Sequence, residues 1–257
     1  MLWEIVDSPH RLLGSAHALP EGTVFPKWVT ESHEGIERFI FESGGPGSRK
    51  GIGDDRTLAH LKLSGVSEAY QSAKTLLESI GNYDSFDHFL PWKVAFYVVD
   101  RFLPILDLSR ISGVDFQLSE LAKSNRLATD FLESSTRSWE LIDSSCKKTD
   151  GGLRFLEETI GDIKSGKSNL LARRLTRTWL ISDLVDFHAI LDETLTMCPS
   201  VFYPTIIQRN QEWGLVAKRL CADKSPTLFI VGALHTVGPD SFVEQMRANG
   251  LRLNFIA

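Results

Sequence analysis

Two copies of one short motif hold the chemistry most easily seen in this chain. Leu12-Leu13-Gly14-Ser15-Ala16-His17 and Phe229-Ile230-Val231-Gly232-Ala233-Leu234-His235 each run from an apolar segment into Gly-x-x-His, near opposite ends of the chain. A buried strand that stops at such a glycine places an imidazole at the carboxyl edge of a sheet, where open α/β sheets build their sites. Two such histidines could face one ligand or one metal ion.

Carboxylates fall at comparable places. Arg38-Phe39-Ile40-Phe41-Glu42 and the run from Leu127 to Glu133 both look like strands that finish on an acid. A catalytic metal site commonly takes three nitrogen or oxygen ligands and leaves one position for water. His17, His235 and either Glu42 or Glu133 could supply that set, provided their strands are neighbours. The remaining histidines have no such context. His188, with Leu180 and Leu184, and His60, ahead of Leu61 and Leu63, read as packing or surface residues. His10 falls in a turn, His33 in a polar helix and His88 beside Phe86 and Phe89.

Other chemical signatures fail on their surroundings. Gly161-Asp162-Ile163-Lys164-Ser165-Gly166-Lys167-Ser168 satisfies the phosphate-loop pattern, which needs a buried strand before it and a helix after it. Leu153, Leu156 and Ile160 precede it at helical spacing with Glu157 and Glu158 between them, so a turn between two helices is expected, with Ser168 capping the second. There is no Gly-x-Ser-x-Gly elbow and no His-Glu-x-x-His helix.

The elements that must position these groups can be read from periodicity and turn residues. Trp3 to Val6 and Arg11 to Gly14 form a hairpin around Asp7-Ser8-Pro9-His10. A helix over Val29 to Glu37 leads into the strand ending at Glu42, and the glycine-rich stretch from Gly44 to Gly53 forms a loop placed to act as a lid. From Asp54 to about Cys221 the pattern is mainly helical, interrupted by the strand ending at Glu133. Thr227 to Val231 is an apolar, β-branched strand, a helix covers Ser241 to Ala248, and Leu251 to Ile256 closes the chain as a strand. Sheet at both termini requires the ends to meet. The expected fold is α/β: one domain over 1–257, a central mixed sheet from the N- and C-terminal segments, and a large helical insertion over about 54–221.

Composition agrees with one folded domain. A chain of 257 residues buries about three quarters of its unfolded surface, and 42% hydrophobic content with 15 Phe and 6 Trp fills a core. A net charge of −5 with no long Lys or Arg run excludes the footprint of a nucleic-acid binder and leaves peptides or small molecules as partners. Cys146, Cys198 and Cys221 form no Cys-x-x-Cys pair, which argues against a disulfide framework or thiolate zinc site. No segment reaches the ~20 apolar residues of a membrane span. No export signal precedes Leu2, so the expected location is the cytoplasm unless a signal has been removed.

Taken in order, these residues resemble the TraB/GumN family, which is related to the Tiki metalloproteases and more distantly to erythromycin esterases and the ChaN proteins. Leu2-Trp3-Glu4-Ile5 and Leu13-Gly14-Ser15-Ala16-His17 resemble the family's opening Leu-Trp and Gly-Thr-x-His, and Phe41-Glu42 resembles its Val-Glu strand end. Pro91-Trp92, Gly113-Val114-Asp115, Leu132-Glu133-Ser134, Trp179 with Asp183-Leu184, Arg209-Asn210 with Trp213, and Gly232 to His235 with Gly238 and Pro239 follow in the same sequence. Ser15 and Ser134 stand where Thr is usual.

The resemblance implies metal-dependent cleavage of a peptide or ester bond, with manganese or cobalt ahead of zinc. His17, Glu42 and His235 would be the ligands, Glu133 or, second to it, Asp115 the general base, and Arg209 the group that stabilises the oxyanion. Erythromycin-esterase-like relatives imply hydrolysis without a metal, and a non-enzymatic binder of a peptide or cofactor such as haem is the competing class. Each role has a plainer counterpart. Glu133 could orient an imidazole, Arg209 could pair with a carboxylate to hold a helix, and Asp115 is expected to cap the helix containing Leu118, with Asn210 and Trp92 structural.

Overall fold

The computed structural model describes residues 1–44, 50–55, 59–62, 65–83 and 85–257. In chain order its regular elements are β1 (Leu2–Ile5), β2 (Arg11–Ser15), α1 (Lys27–Thr30), β3 (Arg38–Gly44), α2 (Val66–Ser79), α3 (Pro91–Phe102) and α4 (Val114–Asn125). They continue with β4 (Ala128–Ser134), α5 (Arg137–Cys146), α6 (Leu153–Lys164), α7 (Lys167–Leu180), α8 (Leu184–Met197) and α9 (Pro199–Phe202). The last are α10 (Arg209–Leu220), β5 (Thr227–Gly232), α11 (Phe242–Ala248) and β6 (Leu253–Phe255).

The strands form one mixed sheet in the order β4-β3-β5-β2-β1-β6. β5 lies centrally with parallel neighbours on both sides, β3 and β2, which explains its unbroken apolar run. Leu228, Phe229, Ile230 and Val231 are fully buried, each worth about 1.5–3 kcal/mol of burial. β4 extends the parallel set beyond β3. At the other side β1 pairs antiparallel with β2 and with β6, so the two ends of the chain meet, as the paired terminal strands require.

Register decides what the sheet can do. Ser15 of β2 lies opposite Gly232 of β5, Phe41 of β3 opposite Ile230 of β5, and Ser43 of β3 opposite Glu133 of β4. The four chain segments that carry His17, His235, Glu42 and Glu133 therefore leave one edge of the sheet side by side.

Two apolar clusters hold the molecule together, one around the sheet with Trp179 and Trp213, the other among helices with Trp92, Phe86 and Phe155. The phosphate-loop match is a turn between α6 and α7, with no strand before it, and Gly166 at φ 79° takes the capping position. Ser168 lies inside α7 and does not cap it, because glycine alone enters that left-handed conformation without strain.

The helix expected over Val29 to Glu37 stops after Thr30. Gly35 at φ 72° ends any helical path, and Arg11 donates to the carbonyls of Glu31, Ser32 and Glu34, binding the segment as a turn. Of the glycine-rich stretch expected to form a lid, residues 45–49 lie outside the described residues.

Candidate functional site

The sheet edge opens into a cavity of about 370 Å³, walled by apolar side chains such as Phe96, Leu175, Trp179 and Phe202, with His17, Glu42, Arg209 and His235 at its polar end. That volume and lining are typical of small-molecule and cofactor sites. Close approach requires the glycine of the second motif. A Cβ on Gly232 would sit 2.6 Å from His17 Nε2 and 3.0 Å from Glu42 Oε1. Gly14 lies against Met1 and Ala233, and its carbonyl accepts a 2.9 Å bond from Trp179 Nε1, which ties α7 to β2.

His17 is half exposed at the cavity mouth. Its Nδ1 lies 2.9 Å from Asp115 Oδ2, and its Nε2 faces Glu42 Oε1 at 3.6 Å. The Asp115 charge, with a smaller contribution from Glu42, outweighs burial and pushes the imidazole up to about 9. Asp115 belongs to the first turn of α4 and does not cap it. Gly113 stands at the cap position without a side-chain bond, while the two Asp115 oxygens accept from Ser15 Oγ at 2.8 Å and engage His17. Gly113 makes this possible by lying against the His17 carbonyl, where a Cβ would sit 2.3 Å from the oxygen.

His235 has the opposite character. It is 5% exposed and its ring lies tilted against Trp213, with centroids 4.6 Å apart. Asn210 Nδ2 donates to the Asp240 carbonyl, so Asn210 Oδ1 is the acceptor for His235 Nδ1 at 2.7 Å. That assignment puts the proton on Nδ1 and leaves a lone pair on Nε2, facing Arg209 at 3.4 Å and Glu42 at 3.8 Å. Burial pushes this imidazole down to about 3, so it stays neutral.

Arg209 is the hub. It donates through Nε to Glu133 at 3.0 Å, through one terminal nitrogen, which also ion-pairs with Glu133, to Glu42 Oε2 at 3.0 Å, and through the other to the Thr205 carbonyl at 3.0 Å. The guanidinium also lies over Trp213. A π-helical turn over Tyr203–Gln208 precedes it and presents that carbonyl, and such irregular turns recur at functional sites. Burial pushes Glu42 up, but the positive charges of Arg209 and His17 and the Gly232 N–H outweigh it, so Glu42 is held well below the usual carboxylate range. Glu133 is raised, chiefly by burial, against the opposing pull of Arg209 and Trp213.

His17, Glu42, His235, Arg209 and Glu133 are therefore all gathered at one place, but in two layers. Glu133 does not line the cavity. One of its oxygens holds Arg209 and the other accepts from Trp213 Nε1 at 2.9 Å, so acting as a base would require breaking those bonds. Asn210, read as structural, fixes the His235 tautomer, and Trp92 lies in the helical core away from the site.

The described residues offer no ready-made ligand set for a divalent ion. Among the described residues no group of three or more His, Cys, Asp or Glu side chains is arranged to hold one. The Arg209 cation lies against Glu42 Oε2 at 3.0 Å and His235 Nε2 at 3.4 Å.

A family model for the TraB/PrgY/gumN family matches residues 1–254. The chain belongs to the TraB/PrgY/gumN family. No curated protein and no solved structure matches it. In this TraB/PrgY/gumN chain the matched span takes in the whole sheet edge and the helices that carry Asp115 and Arg209. Among its described residues no helix is long and apolar enough to cross a membrane.

Proposed function

We propose that this chain is a hydrolase that cleaves an ester or peptide carbonyl in the apolar cavity, with a water molecule activated by His17. The observation that carries the reading is the Asp115–His17 pair, aimed through His17 Nε2 into a cavity whose floor holds a buried guanidinium. Asp115 holds the Nδ1–H tautomer and stabilises the imidazolium that forms when Nε2 takes the proton of the attacking water, a contribution of about 10²–10⁴-fold. Glu42 Oε1, 3.6 Å from Nε2, is placed to accept the second hydrogen bond of that water.

The carbonyl oxygen gains charge as water adds. Of the Arg209 N–H groups, those on Nε and the nitrogen facing Glu42 are committed to carboxylates, and one on the other terminal nitrogen is bound to Thr205. The last points along the long 3.4 Å contact to His235 and can turn to the oxyanion at little cost. Collapse of the adduct breaks the carbonyl-to-leaving-group bond, and the proton on His17 Nε2 passes to the leaving oxygen or nitrogen.

The test is hydrolysis of 4-nitrophenyl acyl esters and a mixed peptide library, in a chelator and then with added manganese or cobalt. Turnover that survives the chelator and falls about 10²-fold or more in His17→Ala supports the reading. Turnover only with the added ion would replace it by metal-assisted hydrolysis, and ligand binding without turnover by a binding protein.

A further inference from the structure

The cavity at the sheet edge adjoins a second one, of about 440 Å³, on the other side of α7, and the two share Leu108, Ala172 and Thr176 as lining. Helical geometry explains the division. At about 100° per residue, Leu175 and Trp179 lie to one side of the ridge made by Ala172 and Thr176, while Arg173 and Arg177 lie to the other. A chain leaving the His17 end would therefore pass over this small-residue ridge and arrive beside two guanidinium groups one helical turn apart.

Those two arginines are exposed and have no hydrogen-bond or ion-pair partner among the described residues. The third arginine of the group behaves differently. Arg174 is held by Asp186 and Glu193, at 2.9 Å from its Nε and one terminal nitrogen respectively. Asp186 is further occupied by Thr178, so although Arg177 lies within reach of its field, that carboxylate is already committed. Among the described residues Asp107 is the one carboxylate lining the second cavity, which Arg173 and Arg177 also line. The rest of that lining is largely apolar, including the exposed Ile105 and Ile181. Arg173 and Arg177 can thus meet an anion without first giving up a protein partner.

We infer that Arg173 and Arg177 form an anion subsite, and that the substrate is an amphipathic ester or amide whose apolar body lies across Ala172 and Thr176 and whose far end carries a carboxylate. The subsite rests on the hydrolase reading only for the word substrate. As a binding site it stands without it. Two exposed arginines in a partly enclosed groove are each worth about a few-fold at low salt, so together about tenfold, and the effect shrinks as salt is raised.

Two matched probes test this. Mono-4-nitrophenyl suberate and 4-nitrophenyl octanoate share chain length and differ in a terminal carboxylate against a methyl group. The wild type is expected to prefer the suberate by about tenfold in kcat/KM, a preference lost in Arg173→Gln/Arg177→Gln while octanoate turnover is unchanged. Titration calorimetry with monomethyl suberate supplies a readout independent of turnover, with binding about tenfold weaker in the double variant at low salt. Equal affinity of wild type and double variant for that anion would overturn the subsite even if hydrolysis is robust. Absence of turnover with the binding difference intact would instead remove the hydrolase reading and keep the subsite.

Discussion

Replacing Arg209 by Met should destabilise the protein more than any other single change at the site. The side chain is 7% exposed and is the shared partner of two carboxylates that are themselves 13% and 5% exposed, Glu42 and Glu133. Methionine fills much of the volume but leaves both carboxylates charged and buried. Breaking one buried pair by removing a partner costs about 3–5 kcal/mol. For a chain near 250 residues each kcal/mol lowers Tm by about 2–4 °C, so the expected drop is about 6–20 °C.

The pH dependence carries the sign. Without the guanidinium both carboxylates are pushed above their unfolded value near 4.3, so the folded state takes up protons first and the penalty shrinks as pH is lowered from about 7 to about 5. Thermal denaturation followed by circular dichroism at both pH values is the assay. Adding Glu133→Gln to the variant should recover about half of the loss. A drop below about 1 kcal/mol, or one that does not change with pH, would refute the description of Arg209 as the group neutralising the pair.

Asp115→Asn should bring the His17 imidazole down from about 9 towards its ordinary 6.5, read by NMR titration of the ring, because the Asp115 charge is the main cause of its raised value. In the wild type the same interaction adds stability that is complete below about 6.5 and is lost as pH rises through about 9. Screening at a half-exposed ring keeps it to about 1 kcal/mol. Gly232→Ala should cost about 1–3 kcal/mol and abolish turnover, measured by denaturant unfolding and ester hydrolysis, since the added carbon would lie 2.6 Å from His17 Nε2. Buried His235, held down to about 3, resists protonation while the unfolded chain does not. Unfolding monitored from pH about 6.5 towards about 4 should therefore show falling stability, and His235→Gln should flatten that slope.

The convergence of the site was legible because period and punctuation agree along each strand that forms it. The two apolar runs stopped by Gly-x-x-His, and the strands ending on Glu42 and Glu133, are local patterns, and parallel pairing then carries them to one edge. What escaped the sequence depends on groups far apart in the chain. An acid in a first helical turn satisfies the helix dipole equally well whether or not it touches anything else, so nothing local distinguishes Asp115 as a cap from Asp115 as the partner of His17, residues 98 positions apart.

The π-helical turn ahead of Arg209 has no periodic signature, and the division of the carboxylates into a cavity-lining Glu42 and an inner Glu133 depends on which of them the guanidinium turns outward. Asn210 next to Arg209 reads as an ordinary polar helix residue until its bond to His235 is seen. In each case the residue types were visible, but the side chain each would face was not.

If His17, set by Asp115, is the base, its ionisation must control turnover. The most direct measurement is kcat/KM for 4-nitrophenyl ester hydrolysis against pH in the presence of a chelator. With the imidazole at about 9, the rate should climb about tenfold per pH unit from about pH 6 and level off near 9, and in Asp115→Asn the plateau should move down by about two units to a lower maximum. A profile that is flat, that falls over this range, or that vanishes with the chelator and returns with a divalent ion would contradict it.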